Sequence, residues 1–179
     1  MKLASYVGTR TGFMGLGNIL IRIRVGGRES HTEIMFEPGD GVDEFMPDGT
    51  CQPDADGALW HASSIGLERM PEWSPRRPGH LGGVRFKRIV PDERWEHDSV
   101  KADPKLVARM AKADQGKLYD WQAILRFIFW VMPQKMNRGM CNEVVGGWIG
   151  IDPNEAYRFD PHTLRVAVQG LSGIQDASN

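Results

Sequence analysis

Alternating apolar and polar positions near the start of the chain predict a β-hairpin. Residues 19–25 read ILIRIRV, with isoleucine or valine at every second position and arginine between the last of them. A repeat of two is typical of a strand that buries one face. Two glycines then favour a turn, and residues 31–36 predict a second strand. On that strand His31, Glu33 and Met35 share one face, because successive side chains of a strand point to opposite sides.

Two further strands are predicted at residues 58–64 and 84–90, after an acidic loop. The strand at 58–64 places His61 and Ser63 on one face. Residues 37–57 contain seven acidic residues and no basic one, together with glycines and prolines that disfavour regular structure. If this loop bordered a binding site it would favour cationic substrates, and an ordinary solvated loop is the alternative interpretation.

The second half of the chain carries helix signals instead. An aspartate that can cap a helix precedes proline at Asp103-Pro104 and again at Asp160-Pro161. Asp120 can cap a further helix with an apolar stripe, which Pro133 ends. The four predicted helices cover residues 104–116, 120–133, 141–150 and a segment that starts at residue 161. Strands followed by helices predict an α+β fold, in which an antiparallel sheet from the N-terminal half packs against helices from the C-terminal half.

Composition narrows the class of protein. The chain has 179 residues, which predicts a single domain over residues 1–179 with a core at about 19–168. A formal net charge of −1 gives no bulk field for nucleic acid or an anionic membrane. Only two cysteines are present, so a disulfide scaffold is excluded. We find neither a signal-peptide core nor an apolar run of membrane-spanning length. A cytoplasmic location, or association with a phage particle, is therefore expected.

Cys141 is the candidate nucleophile. It is predicted to open a helix, where the positive end of the helix macrodipole lowers a thiol pKa. The unpaired N–H groups of the same turn can bind a developing oxyanion. The alternative is a small buried hydrophobic residue. Cys51 lies in the acidic loop, where negative neighbours raise the pKa of a thiol, so we interpret it as incidental.

A thiolate nucleophile needs a histidine base, and that base needs a group that orients it. His31 and His61 lie on predicted strands, which hold side chains more rigidly than loops. Glu33 shares the face of His31 and is a second candidate orienter. Each of these can instead be an ordinary strand residue with a satisfied hydrogen bond. The other three histidines are predicted to be exposed: His80, His97 and His162.

Four short strings occur in an order that resembles a known family. They are Ser30-His31-Thr32-Glu33-Ile34, Trp60-His61-Ala62-Ser63-Ser64, Tyr119-Asp120-Trp121 and Cys141-Asn142-Glu143-Val144-Val145. The order, over residues 19–150, resembles circularly permuted NlpC-type papain-like cysteine hydrolases, which include the YiiX-like proteins and phage relatives. Asn142 stands where related members commonly have serine.

The resemblance implies a permuted papain-like fold and a thiol hydrolase that acts on amides through an acyl-enzyme. Cys141 would be the nucleophile and His31 its base. His61 would match a polar orienting position and give a Cys–His–His triad, with Glu33 as the alternative. Tyr119 would lie near the oxyanion. No cofactor and no metal is implied, and the partner would be a small-molecule, peptide or peptidoglycan-like substrate.

Three rival interpretations stay open. The same site can serve a lipid or thioester acyl group, because permuted relatives include lipid acyltransferases. The chain can also be a non-catalytic, phage-associated structural module. A zinc site formed by His31, Glu33 and His61 with a cysteine is the third, although the spacing matches no metal motif.

Overall fold

The sheet that carries the fold is antiparallel throughout. The computed structural model describes residues 1–9, 12–120 and 138–176. Its main sheet has five strands, in the order β4-β3-β2-β1-β5. The strands are β1 (Lys2–Tyr6), β2 (His31–Met35), β3 (Leu59–Arg69), β4 (Leu81–Ile89) and β5 (Trp95–Ser99). A separate parallel pair joins β6 (Leu118–Tyr119) to β7 (Arg138–Gly139). The predicted α+β class with an antiparallel sheet is confirmed.

The described part of the chain contains five α-helices. They are α1 (Gly12–Val25), α2 (Pro104–Asp114), α3 (Cys141–Trp148), α4 (Pro153–Ala156) and α5 (Pro161–Asp176), and a short 3-10 turn spans Asp43–Phe45. The capping prediction for α2 is confirmed, because the Asp103 side chain accepts a hydrogen bond from the Lys105 backbone N–H at 2.9 Å. The helix predicted at residues 120–133 lies almost entirely outside the described residues.

The prediction of a strand at residues 19–25 is wrong, because these residues form the second half of α1. The apolar run is not strictly alternating, since Leu20 interrupts it, and Ile23 is 74% exposed on the helix surface. Arg22 reaches back to the carbonyl oxygens of Val7 and Gly8, which ties the helix to the end of β1. The N-terminal half of the chain therefore contributes a helix to the fold as well as strands.

β1 takes the place beside β2 that the sequence assigned to residues 19–25. It pairs with β2 from Lys2↔Met35 to Tyr6↔His31, and with β5 on its other side. Its string, KLASY, holds small residues that predict no strand by themselves. β5 was not predicted either. His97, which was expected to be exposed, lies on this strand.

The two faces of the sheet differ in chemistry. One face packs against α2, α3 and α5 through a core of apolar side chains that includes Leu3, Ile34, Phe36, Phe86, Val107, Val145, Trp148 and Leu164. The other face holds a smaller apolar cluster, Ala4, Tyr6, Met35 and Trp95, beside buried polar residues. Across the described ranges, no helix is both long and apolar enough to cross a bilayer.

Candidate functional site

Cys141 is the first residue of α3, as predicted. Met140 is the N-cap, and its backbone N–H donates to the Glu143 carboxylate at 2.9 Å, which fixes the first turn. The helix packs against β2 and β3, and the cysteine side chain lies at that contact, only 4% exposed. The Asn142 amide donates to the Phe159 carbonyl and so ties the start of α3 to the segment before α5. The nucleophile candidate is therefore rigidly held.

His31 opens β2 and connects Cys141 to Glu33. The side chains of His31 and Cys141 interact, since each shifts the pKa of the other. The Nε2 atom of His31 lies 2.9 Å from Oε1 of Glu33, two residues along the same strand face. One imidazole thus contacts a carboxylate and interacts with a thiol, and the side chain of His31 is only 12% exposed.

The electrostatics of this group favour an ion pair. Burial lowers the pKa of His31, but the charge and hydrogen bonds of Cys141 and Glu33 outweigh it and raise the pKa to about 9. Burial raises the pKa of the Cys141 thiol, yet His31 and Thr32 lower it overall, to below its usual value. Opposite shifts in two hydrogen-bonded partners are expected for a thiolate–imidazolium pair.

Glu33 is fully buried and held by cations. Arg85 on β4 contacts both carboxylate oxygens, at 3.3 Å from Nη1 to Oε2 and 3.1 Å from Nη2 to Oε1. Burial alone raises the pKa of this carboxyl, but Arg85, His31 and His61 together lower it well below its usual value. The carboxylate therefore stays ionised in the interior. Of the two predicted orienters, Glu33 is the one that touches the ring of His31.

His61 lies behind Glu33 rather than beside His31. Its Nδ1 atom is 3.3 Å from Oε2 of Glu33, without hydrogen-bond geometry. Within the described ranges neither ring nitrogen of His61 has a hydrogen-bond partner, although the side chain is fully buried. Trp95 packs edge-on against it, with ring centroids 5.5 Å apart. The Cys–His–His arrangement is therefore not what the geometry forms.

Tyr119 lies close to the nucleophile. It pairs with Gly139 across the β6–β7 ladder, two residues before Cys141. Burial, together with the negative charges of Cys141, Glu143 and Asp120, raises the pKa of its phenol well above the usual value. The phenol thus keeps its proton at neutral pH and is able to donate a hydrogen bond.

The remaining candidates lie elsewhere. His80 is exposed, and His162 contacts Glu29 at 2.9 Å on another part of the molecule. His97 is partly buried, with a pKa lowered by burial and by nearby His61. Within the ranges that the structure describes, no group of three or more His, Cys, Asp and Glu side chains is arranged to hold a metal ion. Arg85 places a cation directly against Glu33, where a metal ion would need the same oxygens.

The acidic loop starts at the opposite end of β2 from His31. It follows Met35, which is about 13 Å from His31 along the strand. Several of its carboxylates accept bonds that shape the loop, such as Asp43 from the Cys51 N–H at 2.7 Å and Asp48 from the indole of Trp60 at 2.9 Å. Burial and the acidic neighbours raise the pKa of Cys51 to about 11, as the sequence predicted in direction.

Arg85 is the site residue that sequence reasoning missed. In the predicted strand 84–90 it alternates with Val84 and Phe86, which indicates only that it faces away from the core. Its contact with Glu33 spans two strand pairings, β2 to β3 and β3 to β4. An arginine between two apolar residues of a predicted strand was the available signal, but its partner depends on strand order and register.

Comparison with known proteins gives no relative. The chain matches no protein-family model, no curated protein and no solved structure. The resemblance to permuted NlpC-type hydrolases therefore stays a proposal, and the residues of the site carry the argument.

Proposed function

We propose that the chain is a thiol hydrolase of the amidase or peptidase kind, with Cys141 as nucleophile, His31 as its base and Glu33 as the orienting group. The observation that carries the proposal is the position of His31, whose Nε2 lies 2.9 Å from the Glu33 carboxylate and whose charge interacts with the buried thiol at the start of α3. The order of histidine strand before cysteine helix also supports a circularly permuted papain-like fold.

The reaction we propose passes through an acyl-enzyme. The Cys141 thiolate attacks the substrate carbonyl carbon, a sulfur–carbon bond forms, and the carbonyl electron pair moves to oxygen. When the tetrahedral intermediate collapses, its bond to the leaving group breaks and the His31 imidazolium gives that group a proton. Water then loses a proton to neutral His31 and attacks the thioester, which releases the acid and restores the ion pair.

Backbone and phenol donors support the oxyanion in this proposal. The N–H of Cys141 lies in the first turn of α3, where backbone donors have no partner within the helix. Tyr119 keeps its proton because burial raises the pKa of its phenol. Preorganised donors of this kind contribute about 2.7–4 kcal/mol each to transition-state stabilisation in acyl transfer.

Hydrolysis of p-nitrophenyl acetate and of peptide p-nitroanilides tests the proposal. The wild-type chain should release p-nitrophenol with a burst, and mass spectrometry should find the acetyl group on Cys141. Cys141→Ala should abolish the burst, while Cys51→Ala, the matched control at the other buried cysteine, should keep it. Equal turnover by Cys141→Ala and the wild-type chain would refute the mechanism.

An acyl group from a lipid or thioester is the second candidate substrate for the same site. Asn18 of α1 donates to the Ser30 hydroxyl at 2.9 Å, which places α1 beside the residue that precedes His31. The same helix exposes Ile19, Leu20 and Ile23 by 44%, 43% and 74%. Exposed apolar surface on the helix that contacts Ser30 supports a long acyl chain as substrate. A higher kcat/KM for p-nitrophenyl decanoate than for the acetate, lost in Ile23→Ser, would support this candidate.

A further inference from the structure

Ionisable side chains of alternating charge connect the reactive cysteine to the protein surface. Cys141 interacts with His31, and His31 bonds Glu33. Glu33 accepts from Arg85 at 3.1 and 3.3 Å, and Arg85 also reaches Glu68 at 3.4 Å. The last link is an ion pair between Glu68 and Lys87, which is 47% exposed.

We propose that Arg85 is a positioning residue for the reactive pair: its guanidinium holds the buried Glu33 carboxylate in place, so that Glu33 fixes the His31 ring and supports its positive charge. This inference rests on the proposed hydrolase site and extends it by one residue from another strand. Arg85 touches neither the sulfur nor a substrate and acts only through Glu33.

The geometry gives the guanidinium two separate tasks. Contacts to both oxygens fix the plane of the carboxylate, which a single hydrogen bond from His31 does not. The positive charge also offsets the cost of an ionised carboxylate that has no exposed surface. Without it, burial favours the protonated carboxyl, and a neutral Glu33 no longer stabilises an imidazolium.

Charged or titratable groups lie near Glu33 on several strands of this sheet face. His31 lies on β2 itself, His61 on β3 and Arg85 on β4. Ala4, the β1 residue that pairs with Glu33, is uncharged, and His97 on β5 faces His61. Arg85 is thus the permanent cation that contacts Glu33 among these groups, since both histidines titrate.

Alkylation of Cys141 by iodoacetamide between pH 4 and 10 tests the inference without a known substrate. Mass spectrometry of the tryptic peptides separates Cys141 from Cys51. In Arg85→Met the apparent thiol pKa should rise by about one pH unit, and the rate at pH 6 should fall about tenfold. Arg85→Lys should restore part of that rate, because it keeps the charge and loses the fork. Lys87→Met, the matched control at the exposed end, should change the rate less than twofold.

A Glu33→Gln background separates this inference from a direct effect of the Arg85 charge on the pair. If Arg85 acted on the pair only through space, its removal would raise the thiol pKa by the same amount whether residue 33 is charged or neutral. An unchanged or lowered thiol pKa in Arg85→Met would overturn the inference. In a Glu33→Gln background, Arg85→Met should add less than twofold, because Arg85 acts through Glu33. A full tenfold effect there would also overturn it.

Two further outcomes are decisive. If circular dichroism shows that Arg85→Met does not fold, Arg85→Lys replaces it in the test. A pH profile of Cys141 alkylation identical to that of the wild type then overturns the inference, and a raised thiol pKa supports it. If wild-type Cys141 reacts with the pKa of a free thiol, the proposed hydrolase site itself fails. A reactive wild type with an unaltered Arg85→Met profile leaves the hydrolase site standing and removes only the role of Arg85.

Discussion

Replacement of the Cys141 sulfur should be visible at His31, even where no substrate is known. In the structure, burial lowers the pKa of His31, whereas Cys141 and Glu33 both raise it, and Cys141 has the larger effect. Cys141→Ala removes this larger effect and leaves the contact with the Glu33 carboxylate in place. We therefore expect the pKa of His31 to fall.

The size of the fall follows from the structure. A pKa of about 9 in place of 6.5 corresponds to a preference of about 3 kcal/mol for the imidazolium, at about 1.36 kcal/mol for each pH unit. Cys141 raises the pKa of His31 more than Glu33 does. Cys141→Ala should therefore lower that pKa by about one pH unit or more.

NMR titration of the histidine Cε1–H signals measures this directly. The chain has five histidines, and His31→Gln identifies the signal of His31 by its loss. Cys51→Ala is the matched control, because it removes a buried thiol in the loop at residues 37–57 and should leave the pKa of His31 unchanged.

Two results would refute the reasoning about the ion pair. A His31 that titrates near 6.5 in the wild-type chain would show that no thiolate faces it. A His31 that keeps the same raised pKa in Cys141→Ala would show that the sulfur contributes nothing and that Glu33 alone sets its charge.

Urea unfolding followed by tryptophan fluorescence tests three more variants. Glu33→Gln should lower the free energy of unfolding by about 3–5 kcal/mol at pH 7, because Arg85 loses its buried counter-charge. The lowered pKa of Glu33 adds stability above about pH 4.5 that is lost as the pH falls further, so this deficit should shrink in acid. Asp103→Ala should cost about 1 kcal/mol through the lost helix cap. Leu164→Ala should cost about 2–5 kcal/mol through a core cavity. Exposed Glu72→Gln is the control, expected within about 0.5 kcal/mol.

Each of these predictions has a contrary result. A Glu33→Gln deficit that stays constant from pH 7 to pH 3 would contradict the ionised state of the carboxylate. Wild-type stability in Asp103→Ala would mean that the cap contributes nothing. A loss below about 1 kcal/mol in Leu164→Ala would mean that α5 is loosely packed.

Helix signals that are local were read correctly from the sequence. Asp103 and Pro104 act within one turn of α2, and Gly116 ends that region with a φ of +82°, so no distant residue decides the outcome. Cys141 at the start of α3 was predicted on the same basis. The contact between His31 and Glu33 also follows from local geometry, because residues two apart on a strand share a face.

Features that depend on distant pairing were not predictable. The period of two at residues 19–25 is compatible with a strand, yet these residues form a helix. In that helix Arg22 donates a hydrogen bond to the Val7 carbonyl, just after β1. β1 has a weak local pattern and gains its place through partners on both sides. Arg85 meets Glu33 only because three strands align in register, which no local string encodes.

The position of β1 inside the sheet has a consequence for how the protein is made. Lys2 pairs with Met35 on one side and with Ser99 on the other, so β1 is enclosed by two strands that are both synthesised after it. The sheet cannot close before residue 99 has emerged, and until then β1 exposes an unpaired backbone edge. Order of synthesis and order of assembly are therefore uncoupled, and nascent chains that end before residue 99 should be clients for chaperones.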